Sequence, residues 1–198
     1  MNRHLTKELI ISATLDIMRD KPDLKNLNMR EVARFLGCAH TNIYNYFPKY
    51  SDLLWDSHSA LLDILMDLLV NELDKSASPE QRFYKFFETI VDIYMSNKGW
   101  YRLCWLEYIG GSRPLSNIEK VNEINSKLNK TLSDICGGLY DECPDFNRIK
   151  HNLHSSHCYI VGEISNYLLG RGITENEDEL KNHTANEAIR IFSNGIKE

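Results

Sequence analysis

The chain has 198 residues, enough for one domain or a small domain joined to a larger one, and 42% of them are hydrophobic, which excludes a disordered chain. No stretch approaches the roughly 20 apolar residues of a membrane helix, and the opening MNRHLTKELI lacks the apolar run of a signal peptide; a soluble cytoplasmic protein with no membrane partner is expected. The net charge of -5 argues against a nucleic-acid partner until it is divided: residues 1–50 carry eight Lys/Arg against five Asp/Glu, and the rest carry 15 against 23, as in a cationic module on an acidic body.

Helical spacing recurs along the chain, and strand or hairpin signals are nearly absent. Leu5, Leu9, Ala13 and Ile17 repeat at i+4 and predict a first helix over about 4–20, ending near Lys21-Pro22. A short second helix is expected from Met29 to Phe35, with Asn28 as its N-cap and Val32 and Leu36 on its inner face. Gly37 breaks the chain, and a third helix over about His40–Tyr46 is closed by Pro48. A long fourth helix starts near Ser51 and runs to about Lys75, its buried side marked by Leu54, Leu61, Leu65, Leu68 and Leu69. Ser78-Pro79-Glu80 restarts a helix with a cap followed by proline in the first turn, and Phe83, Phe86, Phe87, Ile90 and Tyr94 form its inner stripe. Gly99 reads as an interruption before an aromatic helix from Trp100 to about Ile109. After the Gly110–Pro114 loop, Ile118, Val121, Ile124, Leu128, Leu132 and Ile135 line a helix that Gly137-Gly138 should end. Two helices over about 145–170 and 175–196 complete an all-α set of nine, three in an N-terminal unit and six after it.

A helix, a break at glycine and a second short helix make a helix-turn-helix candidate. At about 100° per residue, Ala39, Ile43 and Phe47 share one face with part of Tyr46, and that face should pack on the first two helices. Thr41, Tyr44 and Asn45 point the other way, flanked by His40 and Asn42. Neutral donors and acceptors on an exposed helix suit base edges, where asparagine can bond adenine and a threonine methyl can touch thymine. Tyrosine hydroxyls, and the amides that open the second and third helices, suit phosphate oxygens.

This stretch resembles the TetR family of bacterial transcriptional regulators. That family's signature is roughly an apolar helix, then Thr-x-x-x-Ile-Ala-x-x-Leu-Gly-Val-Ser, then x-x-Thr-Leu-Tyr-x-His-Phe-x-x-Lys-x-x-Leu. The run here is Asn28-Met29-Arg30-Glu31-Val32-Ala33-Arg34-Phe35-Leu36-Gly37-Cys38-Ala39, then His40-Thr41-Asn42-Ile43-Tyr44-Asn45-Tyr46-Phe47-Pro48-Lys49-Tyr50-Ser51-Asp52-Leu53. The resemblance covers residues 5–54 and implies a three-helix DNA-binding domain over 1–50 and a six-helix effector-binding and dimerisation domain over 51–198. It also implies a homodimer through the last two helices, bound to a near-palindromic double-stranded operator, most often as a repressor, and released by a small-molecule effector. His40, Thr41, Tyr44 and Asn45 match the positions that enter the groove, with Asn42 beside them; Tyr44 and Tyr46 match phosphate holders, helped by Asn28 and Arg30. The family's lysine at the start of the fourth helix aligns with Tyr50, so that contact would pass to Lys49 or to the Tyr50 hydroxyl. The usual serine cap of the third helix is Ala39, and the usual threonine before the Leu-Tyr pair is Asn42.

Aromatic residues concentrate over 83–108, and Phe87, Tyr94, Trp105 and Tyr108 are candidates to line a pocket for a mostly apolar effector; the same rings also suit the filling of a helical core. His151, His154 and Cys158 fall within about a 60° arc of one helix, residue types and spacing that can bind zinc or another transition metal, which keeps open a metal-responsive regulator or a small metalloprotein. One helix rarely supplies a complete site, His157 points off the stripe, and no cofactor is expected. Five cysteines without a C-x-x-C pair argue against a disulfide framework and fit a reducing compartment. Glu175–Glu179 reads as a solvated loop and an acidic first turn. No nucleophile elbow, phosphate loop or paired-carboxylate motif occurs, so an enzyme is not expected.

Overall fold

Nine α-helices and no strand form among the described residues, which in this computed structural model are 5–21 and 23–197. In chain order they are α1 Lys7–Met18, α2 Met29–Leu36, α3 His40–Tyr44, α4 Tyr50–Glu72, α5 Pro79–Ser96, α6 Lys98–Trp105, α7 Leu115–Leu139, α8 Phe146–Leu168 and α9 Glu177–Lys197. The expected first-helix start at residue 4 and the stop signal at Pro22 lie outside the described residues. Packing divides the chain into two compact units: the residues up to Ile64 with Ser96–Asn122, and Leu65–Met95 with Glu123 onward.

In the first unit, local chemistry sets the helix ends. The Thr6 hydroxyl accepts from the Leu9 amide at 3.2 Å and caps α1. Asn28 caps α2, its carbonyl oxygen accepting from the amides of Arg30 and Glu31 at 3.0 and 3.2 Å. Gly37 ends α2 at φ 68°, a left-handed geometry that a side chain disfavours. The Cys38 amide then reaches back to the Ala33 carbonyl and the Gly37 amide to that of Arg34, a Schellman closure that turns the chain into α3. Ile10, Met18, Val32, Ile43, Phe47 and Leu53 are buried.

The end of α1 is closed by the start of α6. The Trp100 indole donates to the Leu15 carbonyl at 2.8 Å, the Gly99 amide donates to that of Arg19 at 3.0 Å, and the Arg19 Nε donates to Asn97 Oδ1 at 2.7 Å. The carbonyls that a helix leaves unpaired at its C-terminus are thus partly answered from a second helix. Gly99, read from the sequence as an interruption, lies inside α6 for this reason. The aromatic helix is also shorter than expected, stopping at Trp105.

A second joint in this unit ties α4 to the start of α7. The Trp55 indole donates to the Gly110 carbonyl at 3.1 Å. Asn117 is buried; its Oδ1 accepts from Arg113 Nε at 2.7 Å and its Nδ2 donates to Ser59 Oγ at 2.7 Å and to His58 Nδ1 at 3.0 Å. Burial, and then the Arg113 charge, push the His58 pKa down to about 4.

In the second unit Ser78 and Gln81 form a reciprocal capping box, each side chain accepting from the other's amide. Phe83, Phe86 and Phe87 of α5 bury together, with Phe192 of α9 against Phe83 and Phe87 at ring-centroid distances of 5.5 and 5.8 Å. Helices α8 and α9 run antiparallel: Arg148 Nε donates to the Gly195 carbonyl at 3.0 Å near one end, and Tyr159 meets His183 at 3.2 Å further along. The expected stop of α7 at Gly137-Gly138 falls one residue before the observed end. The helix continues to Leu139, because fully buried Ile135 and Cys136 outweigh the roughly 1 kcal/mol that each helical glycine costs.

Candidate nucleic-acid interface

Helix α3 separates cleanly into two faces. Ile43 and the following Phe47 are buried, while His40, Thr41, Asn42, Tyr44 and Asn45 are exposed. The helix ends two residues earlier than expected, at Tyr44, with Asn45 as its C-cap. Ala39, placed by the sequence on the inner face, is exposed: it precedes the first helical residue, so helical periodicity does not govern it. It provides no side-chain cap. The His40 and Tyr44 rings stand edge to face with centroids 6.3 Å apart, so two of the exposed side chains steady one another.

Tyr46, a phosphate holder by the resemblance, already has a partner within the chain. It is half-buried, and its hydroxyl donates to the Leu5 carbonyl at 2.5 Å, clamping the chain before α1 onto the turn after α3. A phenol has one hydrogen to give, so a phosphate contact would have to break this bond. Replacing Tyr46 by Phe is expected to cost about 1 kcal/mol of stability. At temperatures where both proteins are folded it should leave DNA affinity unchanged; a drop of tenfold or more in a titration would restore Tyr46 as a phosphate holder.

Asn28 is likewise engaged: besides capping two amides, its Nδ2 donates to the Asn26 carbonyl at 3.0 Å. The amides of Arg30 and Glu31 are therefore occupied by the chain's own cap, and what remains at this end of α2 is the exposed Arg30 side chain. Arg34, one turn on and also exposed, was not singled out from the sequence, although its i+4 spacing from Arg30 was available.

Lys49 and Tyr50 divide the family's single lysine position. Lys49 is exposed, and its amide donates to Asp52 Oδ2 at 3.1 Å, fixing the start of α4. Tyr50 is half-buried; burial first, then the carboxylates of Glu31 and Glu107, hold its phenol well above the ordinary tyrosine range. A phenol with carboxylate neighbours is poorly placed to receive a phosphate, whereas the Lys49 ammonium is not so constrained.

The four aromatic candidates are divided between the two units. Phe87 is fully buried within the phenyl cluster of the second unit, and Tyr94 of that unit hydrogen-bonds His157 across 2.8 Å. Trp105 and Tyr108 belong to the first unit and are exposed, Tyr108 at 92%. Burial pushes the His157 pKa down to about 4, with His154 adding to the effect. An open depression of about 820 Å³ in the second unit is bordered by Glu72, Asp74, Arg82, Tyr84, Lys85 and Glu88. No group of three or more His, Cys, Asp or Glu side chains able to hold a metal occurs among the described residues, so His151, His154 and Cys158 do not make a site within one chain. No helix is long and apolar enough among the described residues to cross a membrane.

No family model and no curated protein matches the sequence. Solved structures do match over nearly the whole chain. The transcriptional regulator FadR from Bacillus subtilis, in complex with stearoyl-CoA, is 15% identical, with 96% of this chain and 100% of that one covered at a TM-score of 0.66. A TetR-family transcriptional regulator from Streptomyces coelicolor is 17% identical, covering 94% and 82% at 0.67. A TetR variant from Acinetobacter baumannii AYE, in complex with minocycline, is 16% identical, covering 96% of each chain at 0.63. With the helix order and the two-faced α3, these likenesses establish that the chain has the fold of the TetR-family transcriptional regulators.

Proposed function

We propose that the chain is a TetR-like transcriptional regulator, a repressor that binds a near-palindromic operator as a homodimer through α8 and α9. The observation that carries this reading is the exposed face of α3. Five neutral polar or aromatic side chains stand outward while Ile43 and Phe47 anchor the helix from behind, in the part of the chain where positive charge collects. His40, Thr41, Asn42, Tyr44 and Asn45 are assigned to the major groove; Lys49, Arg30 and Arg34 are assigned to phosphates. Residues 1–50 are the proposed DNA-binding part and 51–198 the effector-binding and dimerising part, with α4, which contributes to both packing units, as the link. Two copies would meet successive major-groove turns about 34–36 Å apart.

The proposed release mechanism is a shift between two states of the dimer, and the effector acts by the difference in its affinity for them. Its class is a small, mostly apolar molecule, supported by the ligands that two structural neighbours carry, stearoyl-CoA in one and minocycline in the other. Among the candidate lining residues Phe87 is part of the packed core, and the Tyr94 hydroxyl is bonded to His157. The fold's neighbours support a role without catalysis.

Binding of the pure protein to DNA upstream of its own coding sequence tests the reading. Asn45→Ala should cost about 1–3 kcal/mol on the preferred site and relax the choice between operator variants. Lys49→Ala should weaken binding to every sequence and lower the salt slope by about one phosphate. Absence of binding at any salt would overturn the regulator; equal losses from both variants on all sequences would overturn the division into readers and holders.

A further inference from the structure

We propose that α8 carries half of a tetrahedral metal site, His154 and Cys158, which a second copy of the chain completes as Cys2His2 for a borderline-soft divalent ion such as zinc. The inference rests on the homodimer through α8 and α9 proposed above.

Three observations support it. The first is the bite of the pair. His154 Nε2 and Cys158 Sγ lie 3.6 Å apart, and both side chains are exposed. In tetrahedral zinc coordination, with Zn–S of about 2.3 Å and Zn–N of about 2.0–2.1 Å, the edge between sulfur and nitrogen is also about 3.6 Å. The ion would replace the thiol proton that the pair now shares, with little movement of either side chain. The second is incompleteness: among the described residues no third His, Cys, Asp or Glu joins the pair. His151 is turned to the backbone, its Nδ1–H donating to the Asn147 carbonyl at 2.9 Å, and His157 is bonded to Tyr94. A two-ligand site is half of what zinc takes, and an isologous contact doubles it without any further residue type.

The third observation is the surface around the pair. Ser155, Cys158 and Gly162 share an arc of about 60° on α8, and all are exposed. A Cβ built at Gly162 meets nothing within 4 Å. His151 shares this arc one turn before Ser155, but the small side chains of Ser155, Cys158 and Gly162 leave room beside the pair for a second α8 to approach, and a two-fold axis passing beside Cys158 would bring both His154–Cys158 pairs to one point. Binding one ion then deprotonates two thiols, and two protons pass to solvent, so affinity should rise with pH.

Cobalt(II) titration of the full-length protein, reduced with a phosphine that does not chelate the ion, reads the site directly. A thiolate-to-cobalt charge-transfer band with intense visible transitions is expected, saturating at one ion per two chains. Cys158→Ser should abolish the band, and His154→Gln should weaken binding at least tenfold; both positions are exposed, so neither change threatens the fold. Sedimentation of the same samples separates this inference from the dimer. A dimer that binds no cobalt, or binds it equally well without Cys158, overturns the shared site and leaves the dimer standing. A monomer that binds one ion per chain, or none, overturns both.

Discussion

Replacing Gly99 by alanine is expected to destabilise the protein by more than about 4 kcal/mol, a large share of the 5–15 kcal/mol that typically holds a domain together. An added Cβ would overlap the Met18 carbonyl and press on the Met18 carbonyl carbon, which are backbone atoms of α1 and cannot swing aside as a side-chain tip would. To make room, α1 and α6 would have to part. That motion breaks the Gly99 amide bond to the Arg19 carbonyl and disturbs the Trp100 indole bond to the Leu15 carbonyl. It also shifts the buried Tyr101 and Leu103 that follow in the same helix. Trp100→Phe supplies the scale. It removes one buried hydrogen bond and leaves the backbone contact, so it should cost about 1–3 kcal/mol. Denaturant unfolding of the two variants decides the matter: a Gly99→Ala protein within 1 kcal/mol of the parent would mean that the contact between α1 and α6 yields easily.

Acidification should be nearly as damaging. His58 and His157 both have folded pKa values pushed down to about 4 from the ordinary 6.5, in each case mainly by burial. For a base the depressed value means that the unfolded chain takes up its proton first. Stability from these groups is therefore complete above pH 6.5, falls as pH drops below it, and is lost once pH passes about 4. Each histidine accounts for about 3 kcal/mol across that window, so the pair threatens most of the fold's margin. The local chemistry agrees: Asn117 donates to His58 Nδ1, which must stay unprotonated to accept, and Arg113 stands by as a like charge. His157 has Tyr94 as its partner and His154 nearby. Unfolding free energy measured from pH 7.5 to 4 should decline steeply. His58→Asn and His157→Gln, which keep polar atoms near Nδ1 and Nε2, should each flatten the decline; an unchanged slope in both variants would place the acid sensitivity elsewhere.

Much of the local structure was legible because it is encoded by neighbours in the chain. Asn28 as a cap, Gly37 as the break after α2, Ser78 before Pro79, and the phenyl stripe of α5 depend on spacing and on backbone hydrogen bonds within a few residues, and the structure contains each of them. The outward set on α3 follows from the same periodicity. Ala39 departs from it because the helix begins one residue later.

What the sequence by itself determined, then, is an all-helical chain with a helix-turn-helix opening and the assignment of α3's faces. The tertiary structure alone decided how residues distant in the chain use one another. Gly99 looked like a break because a glycine's local effect is to weaken a helix; its role came from the approach of α1, 80 residues earlier in the chain. The bond from the Tyr46 hydroxyl to Leu5, and the burial of Tyr50 near Glu31 and Glu107, likewise join residues that spacing leaves unrelated. Phe87 suits either a pocket lining or a core, and in the structure it is buried against Phe192. Periodicity reports which side of a helix is apolar, but which atoms meet that side is set by packing between segments far apart in sequence, and no local pattern carries that information.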